Sequence, residues 1–471
     1  MIPLNLGIFG GKIGINMRYK FFSVLLLLVL VTGMATHLPS RLRSSPQDSS
    51  EEIQYAHRLF PGGEDIVPVT TFPPHLKIYS ASSGSEGQPL LGYAFRTTAL
   101  APEIKGYAGP IDLLVGIDRT GTIVGVHLIS HQETASYIND LNGFLQQFLN
   151  RGAGDPLMLG QTIDGISQAT ITSSAVTRSI EASRTLMIQE VLRIDQAGRK
   201  HPPGSFPWEQ ILIPGLLFIL AGSGAFWRKT SLRWLALSGG LIYLGLIKKT
   251  MMASAHVAKI GILNLPSFSD APLWYALMAG TVLSCLAGGM MYCGSICPFA
   301  AVQELLYAAG KRLKFKVGLP SPRIDAMARI FKHALLIVIL SASLYAANPD
   351  IANVEVYVTL FTRHGSRLAW VLLGVMLAAG IFHYRFWCKY FCPVGAMNGL
   401  LSQASLFKIR VNTSCNGCHQ CQALCPTQAI KTLPKSGKVI VENPECILCM
   451  TCVRCCPQGA LRFSYDDKEK E

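Results

Sequence analysis

Half of the 471 residues are hydrophobic and only 15% are charged, a balance that argues against one water-soluble globular domain and suits a membrane protein carrying soluble modules. The formal charge of +14 invites a nucleic-acid reading, but the Lys and Arg residues stand in short clusters beside apolar runs, so direct nucleic-acid binding is excluded in favour of a positive-inside pattern. None of the 14 cysteines lies between Met1 and Leu283, and twelve fall in two motif types, which removes a disulfide scaffold.

In chain order, residues 1–20 form a basic, cytoplasmic N-terminus with Lys12, Arg18 and Lys20. The apolar run 21–36 follows, short for a hydrocarbon core of roughly 30 Å, and reads either as a transmembrane anchor or as a signal peptide cleaved near Gly33-Met34-Ala35. In both readings the next segment is exported.

Residues 55–200 read as a soluble α+β module. Strands are expected at 76–80 and 91–96, and a hairpin from 111–117 and 123–129 turning at Asp118-Arg-Thr-Gly121. Helices are expected at 137–149 and from Ser174 to about Ile194. Between the helices stands Asp164-Gly-Ile-Ser167-Gln-Ala169-Thr170. It resembles the flavinylation sequence of FMN-binding domains of the RnfG and NqrC group, Asp-x-x-Ser/Thr-Gly-Ala-Thr, with Gln168 where glycine is usual. The resemblance implies Thr170 as the residue to which a flavin transferase esterifies the FMN phosphate, with Asp164, Ser167 and Ala169 in their motif places. A helix starting just beyond would aim free N–H groups at that phosphate. The alternative is that Thr170 or Thr172 only caps the helix.

Pro-Pro-Gly within 201–207 reads as a linker into the membrane domain, 208–400. Apolar segments near 209–227, 232–247, 273–292, 329–347 and 368–384 bring the expected transmembrane helices to about six with 21–36 included. Basic connections at Arg228, Lys229 and Arg233, and from Lys311 to Arg323, place both termini in the cytoplasm; Lys248, Lys249 and Lys259 fall on the other side. The β-branched stretch 351–361 is open between a strand and a segment touching the bilayer. Two C-x3-C-P motifs, Cys293/Cys297 and Cys388/Cys392, each follow an apolar span on the cytoplasmic side. Cysteines four apart share a face of a helical turn, so the two turns together present four thiols to an iron–sulfur cluster or an iron ion; a dithiol pair is the alternative. Cys285 reads as packing. With no C-x-x-C-H, His256, His333, His364 and His383 read as interfacial residues rather than haem ligands.

The tail, 408–465, carries C-x2-C-x2-C-x3-C-P twice, the run with which bacterial ferredoxins hold two [4Fe–4S] clusters, the fourth cysteine of each run reaching the other cluster. That rule assigns Cys415, Cys418, Cys421 and Cys456 to one cluster, and Cys446, Cys449, Cys452 and Cys425 to the other; Cys455 is a filler beside them. As a set, these parts resemble the NosR/NirI family: an extracytoplasmic FMN domain, a NapH-like membrane section and a ferredoxin-like tail in the bacterial inner membrane. The resemblance implies a transmembrane electron-transfer component, fed by the clusters or by quinol, whose Thr170-bound FMN supplies an exported reductase such as nitrous-oxide reductase or its maturation factors. It also implies two alternatives, a redox sensor of reductase gene expression and an assembly factor for a periplasmic metalloenzyme.

Overall fold

The computed structural model describes residues 12–42, 49–80, 89–107, 109–131, 133, 141–166, 169–194, 207–266, 268, 271–314, 321–363, 365–433 and 437–465. The linker at 201–206, the helix start at 137–140, Ser167, Gln168, Lys316 and His364 lie outside them. The chain forms two compact units, one of Met1–Thr36, Pro207–Ile262 and Pro272–Glu471, the other of His37–Phe206 and Leu263–Ala271.

The second unit is built on a five-stranded antiparallel meander of β1 (Gly63–Val69), β2 (His75–Ser80), β3 (Leu90–Arg96), β4 (Asp112–Asp118) and β5 (Ile123–Ser130), in chain order. Alternation along β4 sends Leu113, Val115 and Ile117 into a core with Phe144, Phe148, Val176 and Ile180 of the helical layer. Leu114 faces the other way, onto Ala56 of the Ser49–Leu59 helix and Phe60 just after it. Both faces of the central strand are therefore covered. β1 and the Ser49–Leu59 helix were not foreseen from the sequence; Glu64, Asp65 and Pro68 interrupt the alternation that identifies the other strands.

In the first unit all six apolar segments are helical, but their lengths differ from expectation. Among the described residues, four helices are long and apolar enough to cross a membrane: Arg18–Thr36, Glu209–Phe226, Thr230–Ile247 and Ile324–Tyr345. Val356–Thr362 and Arg367–Phe382 make a fifth when the bent pair is taken as one span. Pro272–Gly288, at 17 residues, is shorter than the 273–292 span expected, because Gly289 takes φ +100° and ends the helix. Leu212, Leu216 and Ile219 lie exposed along one helix, an apolar surface suited to lipid. The 351–361 stretch is no strand: Val356–Thr362 is helical, with Tyr357 and Phe361 in the core.

The same unit includes the tail, so the membrane and ferredoxin-like segments, read separately from the sequence, form one body. Phe407–Val411 pairs with Leu461–Tyr465 and Ile430–Thr432 with Val439–Val441, both antiparallel. Between them the chain repeats itself at an offset of 31 residues, from Cys415 to Cys446 and from Cys425 to Cys456.

Candidate functional site

In the flavin unit the helix begins at Thr170 and runs to Met187, four residues earlier than the sequence suggested. Ala169, buried, takes the N-cap position, so neither threonine caps the helix; the Thr172 hydroxyl instead donates to Glu133 Oε2 at 2.7 Å. As the first helical residue, Thr170 stands where backbone N–H groups have no partner within the helix, the local chemistry a phosphate requires. The preceding loop is clasped from two sides. Gln147 donates to the Asp164 carbonyl at 3.0 Å and accepts from the Asp164 N–H at 2.8 Å, while the Ile166 N–H donates to Ser173 Oγ at 3.0 Å. Gln147 and Ser173 escaped the sequence reading because no motif marks them.

The tail loops hold a second kind of site. Left-handed backbone recurs at matched places of the 31-residue repeat: Gly417 and Leu448, His419 and Met450, Gln428 and Gly459. Each such residue turns the chain sharply, and the two inside each C-x2-C-x2-C run wrap three cysteines around a common centre. Cys425, Cys446, Cys449 and Cys452 line one recess, the four that the ferredoxin rule groups. Cys421 is raised to about 11 by burial first, then by the nearby Cys455, Cys456 and Cys415 sulfurs, which places three cysteines of the other group together. Cys418 is exposed at the edge of the tail.

The membrane section contains the third site. The helix expected to carry both cysteines of each C-x3-C-P motif is broken between them. Cys293 sits in the short helix Met291–Ser295 and Cys388 in Phe386–Tyr390. Cys297 and Cys392 are the N-cap residues of Pro298–Arg312 and Pro393–Leu401, with the motif proline at the first helical position, where its missing N–H costs nothing. Burial raises the Cys392 thiol well above its ordinary value, and the Gly395 N–H that donates to its Sγ at 3.2 Å offsets this only in part. All four cysteines line one enclosed cavity with Tyr292, Tyr357, Lys332, Arg385, Lys389 and Glu445, among others.

Burial pushes the Cys293, Cys297 and Cys388 thiols up to about 11, each raised further by a neighbouring cysteine sulfur. Without a cation they are protonated at neutral pH; thiolate ligation must displace those protons. The surroundings are prepared for negative charge. Among the described residues the ion pairs around the cavity join five cations, Arg233, Arg329, Lys332, Arg385 and Lys389, to three carboxylates, Glu304, Asp325 and Glu445. Cations outnumber carboxylates in these pairs, so the surroundings of the four sulfurs carry net positive charge. Among the described residues no three His, Cys, Asp or Glu donors converge as for a single ion. His256 and His333 are packing residues, His256 edge-on to Trp274 and His333 against Tyr19 and Phe22.

The tail reaches this cavity directly. Ile447 and Glu445, flanking Cys446, and Thr427, two residues past Cys425, belong to its lining. The Ile447 carbonyl lies so close to Gly294 that a Cβ there would meet it at 2.1 Å, and a Cβ at Gly399 would meet the Pro444 carbonyl at 2.6 Å. Glu445 accepts from Lys332 Nζ at 2.9 Å and from the Tyr19 hydroxyl at 3.3 Å, and Arg329 donates to the Thr427 carbonyl at 3.0 Å. None of these partners was identifiable from spacing in the sequence.

Comparison with known proteins agrees with the parts. The FMN-binding domain matches residues 106–184, a 4Fe-4S binding domain matches 270–320 and again 364–412, and a 4Fe-4S dicluster domain matches 414–461. The chain is 29% identical over 274 residues to the putative electron transport protein YccM of Escherichia coli, half of this chain and 75% of that one. It is 29% identical over 265 residues to protein NirI of Paracoccus denitrificans, 51% of this chain and 38% of NirI. It is 28% identical over 210 residues to regulatory protein NosR of Pseudomonas aeruginosa, 43% of this chain but only 27% of NosR. With an FMN-binding domain, apolar membrane helices and 4Fe-4S domains on one chain, this electron-transfer protein is similar in its parts to NosR and NirI, of whose own lengths the matches span 27% and 38%.

Proposed function

We propose that the chain is a transmembrane electron conduit, joining a cytoplasmic ferredoxin-like tail to an extracytoplasmic flavin domain through the four-cysteine cavity. The observation that carries this reading is the contact of the tail segment 444–447 with Gly294 and Gly399, which brings the neighbour of Cys446 against the neighbour of Cys293. Cys415, Cys418, Cys421 and Cys456 would hold one cluster, Cys425, Cys446, Cys449 and Cys452 the second, Cys293, Cys297, Cys388 and Cys392 a third, and Thr170 the FMN. When bound, the iron–sulfur groups supply one-electron chemistry and FMN joins single-electron to paired-electron chemistry.

The chain's own residues arrange these places. Apolar packing around Phe299, Tyr292 and Tyr357 keeps water from the four cysteines, and the surplus cations offset thiolate charge. The basic clusters favour cytoplasmic termini, and two of the exceptions lose weight: Lys259 is buried and Lys248 pairs with Glu209 at 3.5 Å. The electron source is the clusters or quinol, and the acceptor an exported reductase; the resemblance to NosR directs attention to nitrous-oxide reductase or its maturation.

The test is an oriented proteoliposome with the flavin domain inside and an impermeant reductant outside. Flavin absorbance bleaches in the wild type and stays oxidised in Cys293→Ala and Cys388→Ala; equal bleaching in all three ends the reading. Thr170→Ala loses covalent flavin with iron content unchanged, measured by in-gel flavin fluorescence and metal analysis. Covalent flavin that survives the substitution removes Thr170 from its role. The word "regulatory" in the name of NosR favours a second reading, a redox sensor of gene expression. With the reductase gene driven from an unrelated promoter, the sensor reading expects full reductase activity in Thr170→Ala, and the conduit reading expects its loss.

A further inference from the structure

The two C-x3-C-P halves are copies at an offset of 95 residues, with helix starts at Pro272 and Arg367, Met291 and Phe386, and Pro298 and Pro393. Six residues past the second cysteine of each half stands a carboxamide, Gln303 after Cys297 and Asn398 after Cys392. Both side chains are fully buried. They cross over: Gln303 Nε2 donates to Cys388 Sγ at 3.1 Å, and Asn398 Nδ2 donates to Cys293 Sγ at 3.2 Å.

Resting on the reading of the four cysteines as ligands of one iron–sulfur centre, we propose that Gln303 and Asn398 are its paired positioning residues, each directing an N–H at a sulfur contributed by the opposite half. The two carboxamides differ in what fixes them. Gln303 is oriented by the Trp387 N–H, which donates to its Oε1 at 2.9 Å and leaves the amide N–H group aimed at sulfur. Asn398 Oδ1 is buried with no hydrogen-bond partner among the described residues. An unpaired buried carbonyl is unfavourable, and an apolar side chain of the same shape would avoid it. What offsets it is the other end of the amide, and a neutral thiol is too weak an acceptor for that. An ionised, metal-bound sulfur is not.

Hydrogen bonds to cluster sulfurs stabilise the more negative, reduced state, so the pair holds the centre's midpoint potential up. It also binds each half to the other through the sulfurs, which a cluster shared between the halves requires.

The test uses the full chain, purified anaerobically, with iron and acid-labile sulfide per chain and a redox titration followed by electron paramagnetic resonance. The centre's own signal is the one removed by Cys388→Ala. In Gln303→Met and Asn398→Leu the iron and sulfide stay at the wild-type level while that signal's midpoint moves to more negative potential, further in the double variant. Gln303→Glu and Asn398→Asp, nearly isosteric, move it the same way and keep the test valid should an apolar variant misfold. Unmoved midpoints in variants that retain the centre overturn the pairing. Wild-type iron, sulfide and spectra in both Cys293→Ala and Cys388→Ala overturn the four-cysteine centre itself, a failure seen separately from that of the amides.

Discussion

Gly294→Val uncouples the tail from the membrane section while leaving the tail's iron in place. The substitution puts a branched side chain where a Cβ alone would meet the Ile447 carbonyl oxygen at 2.1 Å. Backbone lies on both sides of that contact, so no side-chain rotation relieves it. Overpacking in a filled interior costs about 1–3 kcal/mol, and this site stands at the upper end because the obstacle is main chain. With the tail displaced from this contact, reduction of the four-cysteine cavity's contents through the tail slows relative to the wild type. Gly374, with nothing within 4 Å of its Cβ position on the Arg367–Phe382 helix, supplies the control: Gly374→Ala is silent. Stopped-flow reduction in detergent measures both, and a wild-type rate in Gly294→Val would show that electrons do not pass this contact.

Glu445→Ala releases the tail by a different route. The carboxylate is 5% exposed and faces Lys332 Nζ at 2.9 Å and Arg329 Nη1 at 3.3 Å. Removing it leaves buried Lys332 without its carboxylate and Arg329 with Asp325 alone, which costs about 3–5 kcal/mol. Limited proteolysis reads the result as rapid cleavage between Leu401 and Cys415, with iron retained in the released fragment; unchanged protection would refute the docking role. Burial alone would raise this carboxyl, but Lys332 and Arg329 more than offset that and hold it below the ordinary glutamate range. Its contribution to docking is therefore complete at neutral pH. It begins to fade only as pH falls below about 4.3, the unfolded value, and is gone once pH passes the lower folded one.

Legibility in the sequence followed the range of the interactions. Strands β2 to β5 announced themselves through alternation, and the membrane helices through length and apolarity. The helix at Thr170 was placed four residues late because Thr170, Ile171 and Thr172 are weak helix formers, and packing of Ala175, Val176 and Ile180 onto the sheet overrides that preference. The same override makes a helix of the β-branched stretch around Val356 and Val358. Cysteine spacing in the membrane section pointed to the wrong local shape, since a proline after each second cysteine starts a new helix instead of ending an old one. Gln303, Asn398, Gly294 and Glu445 were invisible. Their partners lie 85, 105, 153 and 113 positions away, and nothing in a local pattern marks such pairs.

The internal copy at 95 residues has a further consequence, for stoichiometry. Two separate half-chains assembling around one centre would bring two tails to a cavity with room for one, or none at all. Fusing the halves delivers a single tail to each four-cysteine cavity by covalent connection. It also lets the halves drift apart where symmetry would be a handicap: the residue after the first cysteine is Gly294 in one half, flat enough for the tail backbone, and Lys389 in the other, reaching Gln428 at 2.7 Å. A homodimer would have had to use one residue for both tasks.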